Sequence, residues 1–441
     1  MHVVGIIGGA VAGSEAAALV AESGALAIVF EQGDRPYGKI EDGLPRWHEK
    51  LRSKEFQRID ANLSHPNVRY IPRTRVGKDV ELAALRELGF SALVLANGAW
   101  RDRRLPVDGV DAYVGKGFAY QNDFVYWFNH HHEAGYAGPA YECPEGALVV
   151  GGGLASVDVA KILSLETHAR KLREQGVEVD VVELELKGIP AWCKAKGIEL
   201  PEVIPPTLVY RRDMESMPLA SFPAGADDAR KAKVRASRVK IMKRVMDRYC
   251  VAFQPLRTPV GLLVEDDALV GLKLQHTELA DGRVRAVEGA VDDVRAPLVV
   301  SSIGSVPAPM GGVPMRGDLY DFEDEETGAL RDVDGVFGLG NVLTGRGNIK
   351  ESRLNAQVIA RGLLSARLLA EADEGASAEA FDQARADIRE AAARQLESTL
   401  ARQAPDAATR EGIERFVQER WDTVGYPGDY MTWAERHRPE S

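Results

Sequence analysis

Ile6-Ile7-Gly8-Gly9-Ala10-Val11-Ala12-Gly13 and Val149-Val150-Gly151-Gly152-Gly153-Leu154-Ala155-Ser156 lie about 143 residues apart, each between an apolar run and a helical pattern. A strand, a sharp glycine turn and a helix N-terminus together offer free N–H groups and the positive end of a helix dipole to a pyrophosphate. One such turn arises readily by chance, because any tight strand-to-helix connection favours glycine. Two in this context predict two dinucleotide sites. Both depart from G-x-G-x-x-G: Ala10 stands at the second glycine position of the first copy and Ser156 at the third of the second. A methyl and a hydroxymethyl group must therefore fit at points of close approach.

The first copy continues through a helical stretch over 14–23 into the apolar strand Leu26-Ala27-Ile28-Val29-Phe30, which ends on Glu31. A carboxylate at the tip of the second strand, roughly 20 residues beyond the glycines, is placed to accept hydrogen bonds from a ribose diol. Taken alone, Glu31 is a polar strand end. With strand, turn, helix, strand and acid in order, the segment reads as dinucleotide-binding.

The chain has 441 residues, enough for two or three domains with substantial cores. A net charge of −11 argues against general affinity for nucleic acid or anionic membrane. The apolar stretch over 11–21 has no Lys or Arg before it and carries the phosphate turn, so it does not read as a signal peptide. No run of 18 apolar residues predicts a membrane span. Cys143, Cys193 and Cys250 are widely separated, which fits a reducing cytoplasm and supplies neither a C-x-x-C pair nor the ligands of an iron–sulfur cluster.

Ser91-Ala92-Leu93-Val94-Leu95-Ala96 reads as a buried strand leading into Asn97-Gly98-Ala99, and Pro106, Gly109 and Gly115 then loosen the chain before the second glycine turn. Alternating strand and helix signals continue to Pro297-Leu298-Val299-Val300-Ser301-Ser302-Ile303-Gly304, and Val336-Phe337-Gly338 forms another short strand. The expectation is an α/β chain with two Rossmann-like dinucleotide-binding domains, the second inserted into the first. The first spans 1–114 and 300–371, the second 115–299, and a helical extension follows over 372–441.

These residues resemble the two-dinucleotide-binding flavoproteins, especially the adrenodoxin reductase-like NADPH–ferredoxin reductases and the small subunit of glutamate synthase. The resemblance covers about residues 1–370. It rests on both glycine turns, Glu31, Pro36-Tyr37-Gly38-Lys39, Val76-Gly77-Lys78-Asp79-Val80, Asn97-Gly98-Ala99, Tyr210-Arg211-Arg212 with Met217-Pro218, and Gly340-Asn341 through Gly345-Arg346-Gly347-Asn348-Ile349. It implies an FAD-dependent oxidoreductase that takes hydride from NADPH onto the flavin and passes electrons to a separate acceptor, such as a ferredoxin-like iron–sulfur protein. The alternatives are an obligate reductase subunit of a larger complex and a non-catalytic module in which FAD is structural.

By the same resemblance FAD lies on Gly8, Ala10, Ala12, Gly13, Glu31, Lys39, Val76, Asn97 and Gly98, with Gly340, Asn341, Gly347, Asn348 and Ile349 beside the flavin ring and ribityl chain. The nicotinamide nucleotide lies on Gly151, Gly152, Gly153, Leu154, Ala155 and Ser156. Asn341 replaces an Asp or Trp usual in relatives, and Lys39 replaces a common apolar residue. Lys39 either stands beside flavin N1 or is a solvated surface lysine. His48 corresponds to a histidine near the flavin in relatives, where it could relay protons; the plainer reading is a histidine packed beside Trp47.

The nucleotide choice depends on which segment forms the strand after the second turn. The alternating run Val177-Glu178-Val179-Asp180-Val181-Val182-Glu183-Leu184-Glu185-Leu186 would end on Glu183 or Glu185 and select NADH. Thr207-Leu208-Val209-Tyr210 would end on Arg211 and Arg212, whose guanidinium groups match a 2′-phosphate and select NADPH. The resemblance favours the second.

Three further features carry expectations. His130-His131-His132 is not expected to bind metal, because consecutive side chains diverge on a regular backbone. Residues 230–248 hold nine basic side chains and one acid and read as an amphipathic helix with Val234, Ile241 and Val245 inward. Its outward charge is either solvated or a docking surface for an acidic carrier. Trp421, Tyr426, Tyr430 and Trp433 cover either a subunit interface or the chain's own core.

Overall fold

The structure, a computed structural model, describes all residues except 221, 223–224, 325–326, 344–373 and 439–441. Strands β1 (Val3–Ile7), β2 (Leu26–Phe30), β3 (Val68–Ile71) and β4 (Ala92–Leu95) are parallel and almost wholly buried. They read as continuous apolar runs because both faces of a parallel sheet are covered. Ile7 pairs with both Phe30 and Leu95, so β1, β2 and β4 end together. Their following turns therefore share one sheet edge, where an open α/β sheet binds its ligand. Helix α1 (Val11–Glu22) leaves the first glycine turn. The short α2 (Lys39–Asp42), a 3-10 turn at Arg46–His48 and α3 (Glu49–Leu63) connect β2 to β3, and α4 (Leu82–Glu87) connects β3 to β4.

The chain then enters a second sheet through β5 (Arg101–Asp102). That sheet has the order β6-β13-β7-β8-β9, with β6 (Phe118–Tyr120), β7 (Leu148–Val150), β8 (Thr207–Tyr210), β9 (Ala252–Pro255) and β13 (Val299–Ser301). Its helices are α5 (Gln121–His130), α6 (Leu154–Glu174), α7 (Val181–Lys187), α8 (Ile189–Lys196) and α9 (Asp228–Tyr249). An antiparallel meander of β10 (Arg257–Glu265), β11 (Ala268–Ala280) and β12 (Arg283–Arg295) precedes β13. The exit strand β14 (Ser305–Val306) pairs with β5, so a two-strand ribbon joins the units. Because β13 belongs to the second sheet, we propose that the return to the first unit falls at this ribbon rather than at residue 300. The hairpin β15 (Met315–Arg316) and β16 (Leu319–Tyr320) then leads to β17 (Phe322–Asp324), β18 (Ala329–Leu330) and β19 (Val336–Gly338), which complete the first sheet beside β4. The α/β architecture with an inserted second dinucleotide unit is thus observed.

The run 177–186 is not a strand. Asp180 caps α7 by accepting from the Val182 N–H, and Val181, Leu184 and Glu185 turn inward together. A cap and a helical stripe of buried residues override the two-residue alternation. On α9 the buried residues are Arg238, Ile241, Met242, Val245 and Tyr249, whereas Val234 is only partly buried.

The extension contains α10 (Glu374–Leu400), α11 (Ala407–Val424) and α12 (Tyr430–Arg436). Its aromatic residues pack on the chain's own core: Tyr70 meets Tyr430 edge-on at 5.1 Å, Trp421 donates to the Tyr70 carbonyl and Trp433 to that of Asp34. No helix among the described residues is long and apolar enough to cross a membrane.

Candidate functional site

The first glycine turn is built by steric need. Gly8 has φ +98°, and a Cβ there would lie 2.6 Å from the Ala96 carbonyl oxygen. A Cβ on Gly13 would strike the Gly8 carbonyl, so α1 can lie this close to β1 only with glycine at that position. The residue ahead of α1, Ala10, provides no side-chain cap, and the first turn contains no acid. Its N–H groups are therefore left for an anion. By contrast α9 and α11 begin on Asp227 and Asp406, each of which caps its helix.

Distant segments converge on this turn. Glu31 accepts from the Gly9 N–H at 2.9 Å and the Gly33 N–H at 3.1 Å. Burial pushes its carboxyl above the ordinary carboxylate value against the pull of these backbone bonds. Asn97 and Gly98 follow β4 directly beside Gly8, and Asn97 donates to the Tyr320 hydroxyl. A Cβ on Gly340 would stand 2.8 Å from that of Ala12, which puts Gly340-Asn341 against the first turn of α1. Gly38 approaches Ala10 in the same way, at 2.9 Å. Val76 is buried in a tight turn bridged to Val80, which meets Met310 through Gly77. Gly347, Asn348 and Ile349 lie outside the described residues.

Lys39 is not a solvated lysine. Its ammonium donates to Asn122 Oδ1 at 2.8 Å and Ser305 Oγ at 3.2 Å, and lies 5.6 Å from the centre of the Trp100 ring. Burial lowers it to about 8 despite the nearby Asp102 and Asp42 carboxylates. These contacts tie the segment after the first turn to the ribbon and to α5, and nothing in the local sequence announces them.

The second turn repeats the first in outline. A Cβ on Gly151 would strike the Ser302 carbonyl, and one on Gly152 would strike the Tyr210 ring. The helix α6 starts at Gly153 with no side-chain cap and no acid in its first turn. Leu154 and Ser156 are buried, Ala155 is exposed, and the Ser156 hydroxyl folds back onto the Gly153 carbonyl at 2.6 Å. Serine at the third position faces Gly151, where an added Cβ would lie 2.8 Å from Ser156 Cβ. The strand beside β7 is β8, paired Val150 to Val209, so Arg211 and Arg212 stand at its end. Neither guanidinium is engaged in an ion pair among the described residues. Glu183 pairs with Lys187 at 2.8 Å, and Glu185 is buried against Lys161 at 2.7 Å. Neither acid ends a strand.

His48 is buried, 6.1 Å from Trp47 between ring centres, in a 3-10 turn packed on α7. Of the consecutive histidines, His130 bridges Asp42 at 3.0 Å and Glu133 at 2.7 Å and serves as a strut between the units.

Two sheets, each with parallel strands running into an uncapped glycine turn, are thus linked by a two-strand ribbon. Residues 2–188 match the family described as pyridine nucleotide-disulphide oxidoreductase. The chain is 25% identical over 325 residues to a mitochondrial NADPH:adrenodoxin oxidoreductase of Arabidopsis thaliana, covering 67% of this chain. It spans 65% of that relative's length. It is 25% identical over 386 residues to the NADPH glutamate synthase small chain of Mycobacterium tuberculosis, covering 83% of this chain and 68% of the relative. The solved structure of Mycobacterium tuberculosis FprA in complex with NADPH shares the fold with a TM-score of 0.64 at 19% identity, over 96% of this chain and 90% of that one.

Proposed function

We propose that the protein is a cytoplasmic FAD-dependent oxidoreductase that takes electrons from NADPH and delivers them to a separate acidic acceptor of the ferredoxin type. The observation that carries this reading is the pair of uncapped glycine turns, each leaving a parallel strand of its own sheet. FAD, when bound, supplies a centre that takes two electrons from a nicotinamide and can release them singly. The chain's part is placement. The N-termini of α1 and α6 hold the two pyrophosphates, and Glu31 receives the adenosine ribose of the first nucleotide. Arg211 and Arg212 receive the 2′-phosphate of the second, and Trp47 with His48 closes the space between the units to water. Anaerobic addition of NADPH to the FAD-loaded protein should bleach the flavin's visible absorbance; a flavin that stays oxidised ends this reading. Similarity to a glutamate synthase small chain supports a second form of it, a reductase subunit of a larger complex, which would reduce its flavin but turn over slowly without its partner.

Exchanging Arg211 and Arg212 together for Ala should weaken NADPH binding far more than NADH binding. Two charge-assisted contacts at roughly 1.5–3 kcal/mol each allow a preference change of at least about tenfold. Isothermal titration with both nucleotides checks it, and equal losses would remove the 2′-phosphate role.

The outward face of α9 presents Lys240, Lys243 and Arg244 along a shallow groove, while Arg238 turns inward to the Ala220 and Glu215 carbonyls. A positive face in an acidic chain would steer an acidic carrier toward it, with a rate that fades as salt rises. Reversing these three charges should slow ferredoxin reduction at low salt and leave flavin reduction by NADPH unchanged. A wild-type acceptor rate in the triple variant would place docking elsewhere.

A further inference from the structure

Lys161 is a charged residue that the reading above leaves unused, and only 2% of it is exposed. Its ammonium bonds Glu185 Oε1 at 2.7 Å and stands 3.9 Å from Asp158. It is sandwiched between two rings, 4.5 Å from the centre of Trp47 and 4.6 Å from that of Tyr249. The Tyr249 hydroxyl donates to the same Glu185 oxygen at 3.1 Å. Burial alone would lower this ammonium, but Glu185, Tyr249 and Asp158 more than offset it and hold it above the ordinary lysine value. Such a pair adds little to stability that apolar residues of equal volume would not. A desolvated cation against an aromatic face is, however, directional.

The direction matters because of where Trp47 comes from. It belongs to the stretch 36–48 that follows the first glycine turn, yet its ring lies in the core of the second unit against Phe128 at 5.1 Å. Along its length this stretch is fastened to α5. Lys39 bonds Asn122, Asn129 donates to the Glu41 and Leu44 carbonyls and accepts from the Arg46 N–H, and Asp42 meets His130. One end touches the first turn, where Gly38 approaches Ala10. The other end rests on Lys161, two turns into the helix that leaves the second turn.

We propose that Lys161, held by Glu185, is a positioning residue that pins Trp47 and thereby sets the spacing between the two dinucleotide turns, and the place of His48, that electron transfer from NADPH to FAD needs. This rests on the two-nucleotide reading above. The pin acts on alignment and not on the affinity of either turn, so it should separate rate from binding.

The test uses FAD-loaded protein carrying Lys161→Met with Glu185→Met, which removes the bonded pair together and roughly keeps its volume, while Asp158 loses Lys161 as a neighbour. Lys161→Arg and Trp47→Leu are companions. The double variant should keep FAD and bind NADP⁺ with wild-type Kd. Its flavin reduction by NADPH in stopped flow should slow by roughly tenfold to a hundredfold, as expected for reacting groups displaced by about an ångström. The long-wavelength charge-transfer absorbance of nicotinamide on flavin should fade with it. Lys161→Arg keeps a cation that stacks on the ring and should recover most of both signals. Trp47→Leu, which leaves the ion pair in place, should reproduce the loss and carries the test if the double variant does not fold. Wild-type rates and charge-transfer absorbance in the double variant or in Trp47→Leu overturn the pin. A wild-type flavin that NADPH does not reduce overturns the functional reading itself, and the pin with it.

Discussion

Gly13→Ala should give a folded protein that has lost most of its FAD. The added methyl would meet the Gly8 carbonyl oxygen, with Ile6 Cγ2 behind it at 3.4 Å, and the first obstacle is backbone. Neither atom can swing aside, so α1 must lift from β1 and take the N–H groups of its first turn out of line with the pyrophosphate. Overpacking of this kind costs about 1–3 kcal/mol, equivalent to roughly 5- to 150-fold in FAD affinity. The flavin-to-protein ratio after gel filtration reads the loss, and far-UV circular dichroism shows that the chain is folded. Gly412→Ala is the matched control, because nothing stands within 4 Å of a Cβ there. A full flavin complement in Gly13→Ala would mean that the first turn does not hold FAD.

The first site was readable because its parts are consecutive. Strand, turn, helix, strand and acid all fall within residues 3–31, and their pairing needs no distant partner. What remained hidden depends on remote contacts. From sequence Lys39 reads as either a flavin contact or a solvated lysine, and its ammonium donates hydrogen bonds to Asn122 and Ser305, 83 and 266 residues away. Lys161 lies on the buried face of its helix, and its partner, Glu185, is on the very segment whose alternation imitates a strand. That imitation fails because Asp180 can cap a helix only if 181–187 is one, and burial of Val181 and Leu184 on one side decides in its favour. Val234 was expected inward from helical spacing alone. Arg238, one turn further along the same face, is buried, and the Glu215 and Ala220 carbonyls satisfy its guanidinium. The extension's aromatic residues left two readings open, and contact with Tyr70 selects the chain's own core.

Arg385→Met should be the most destabilising single change in the extension, and its effect should reach the FAD site. Arg385 on α10 lies between Glu15 of α1 and Glu55 of α3, and both carboxylates are almost fully buried. Arg389 supports Glu15 at 2.9 Å and reaches Glu22 at 2.9 Å. Without Arg385, Glu55 keeps Arg58 at 3.7 Å and Glu15 keeps Arg389 at 2.9 Å as ion-pair partners among the described residues. Removing one partner of a buried ion pair costs about 3–5 kcal/mol, mostly because a buried charge is left uncompensated. Glu15 also lies one turn beyond the N–H groups offered to the pyrophosphate, so its charge, once unscreened, opposes the dinucleotide. The variant should therefore melt several degrees lower and lose FAD more readily on dilution. Adding Glu15→Gln and Glu55→Gln should return much of the melting temperature, since neutral amides no longer need the guanidinium. Calorimetry with and without added FAD separates the two effects. If Arg385→Met melts with the wild type and holds FAD equally well, α10 is an appendage rather than a clamp on the helix that leaves the first glycine turn.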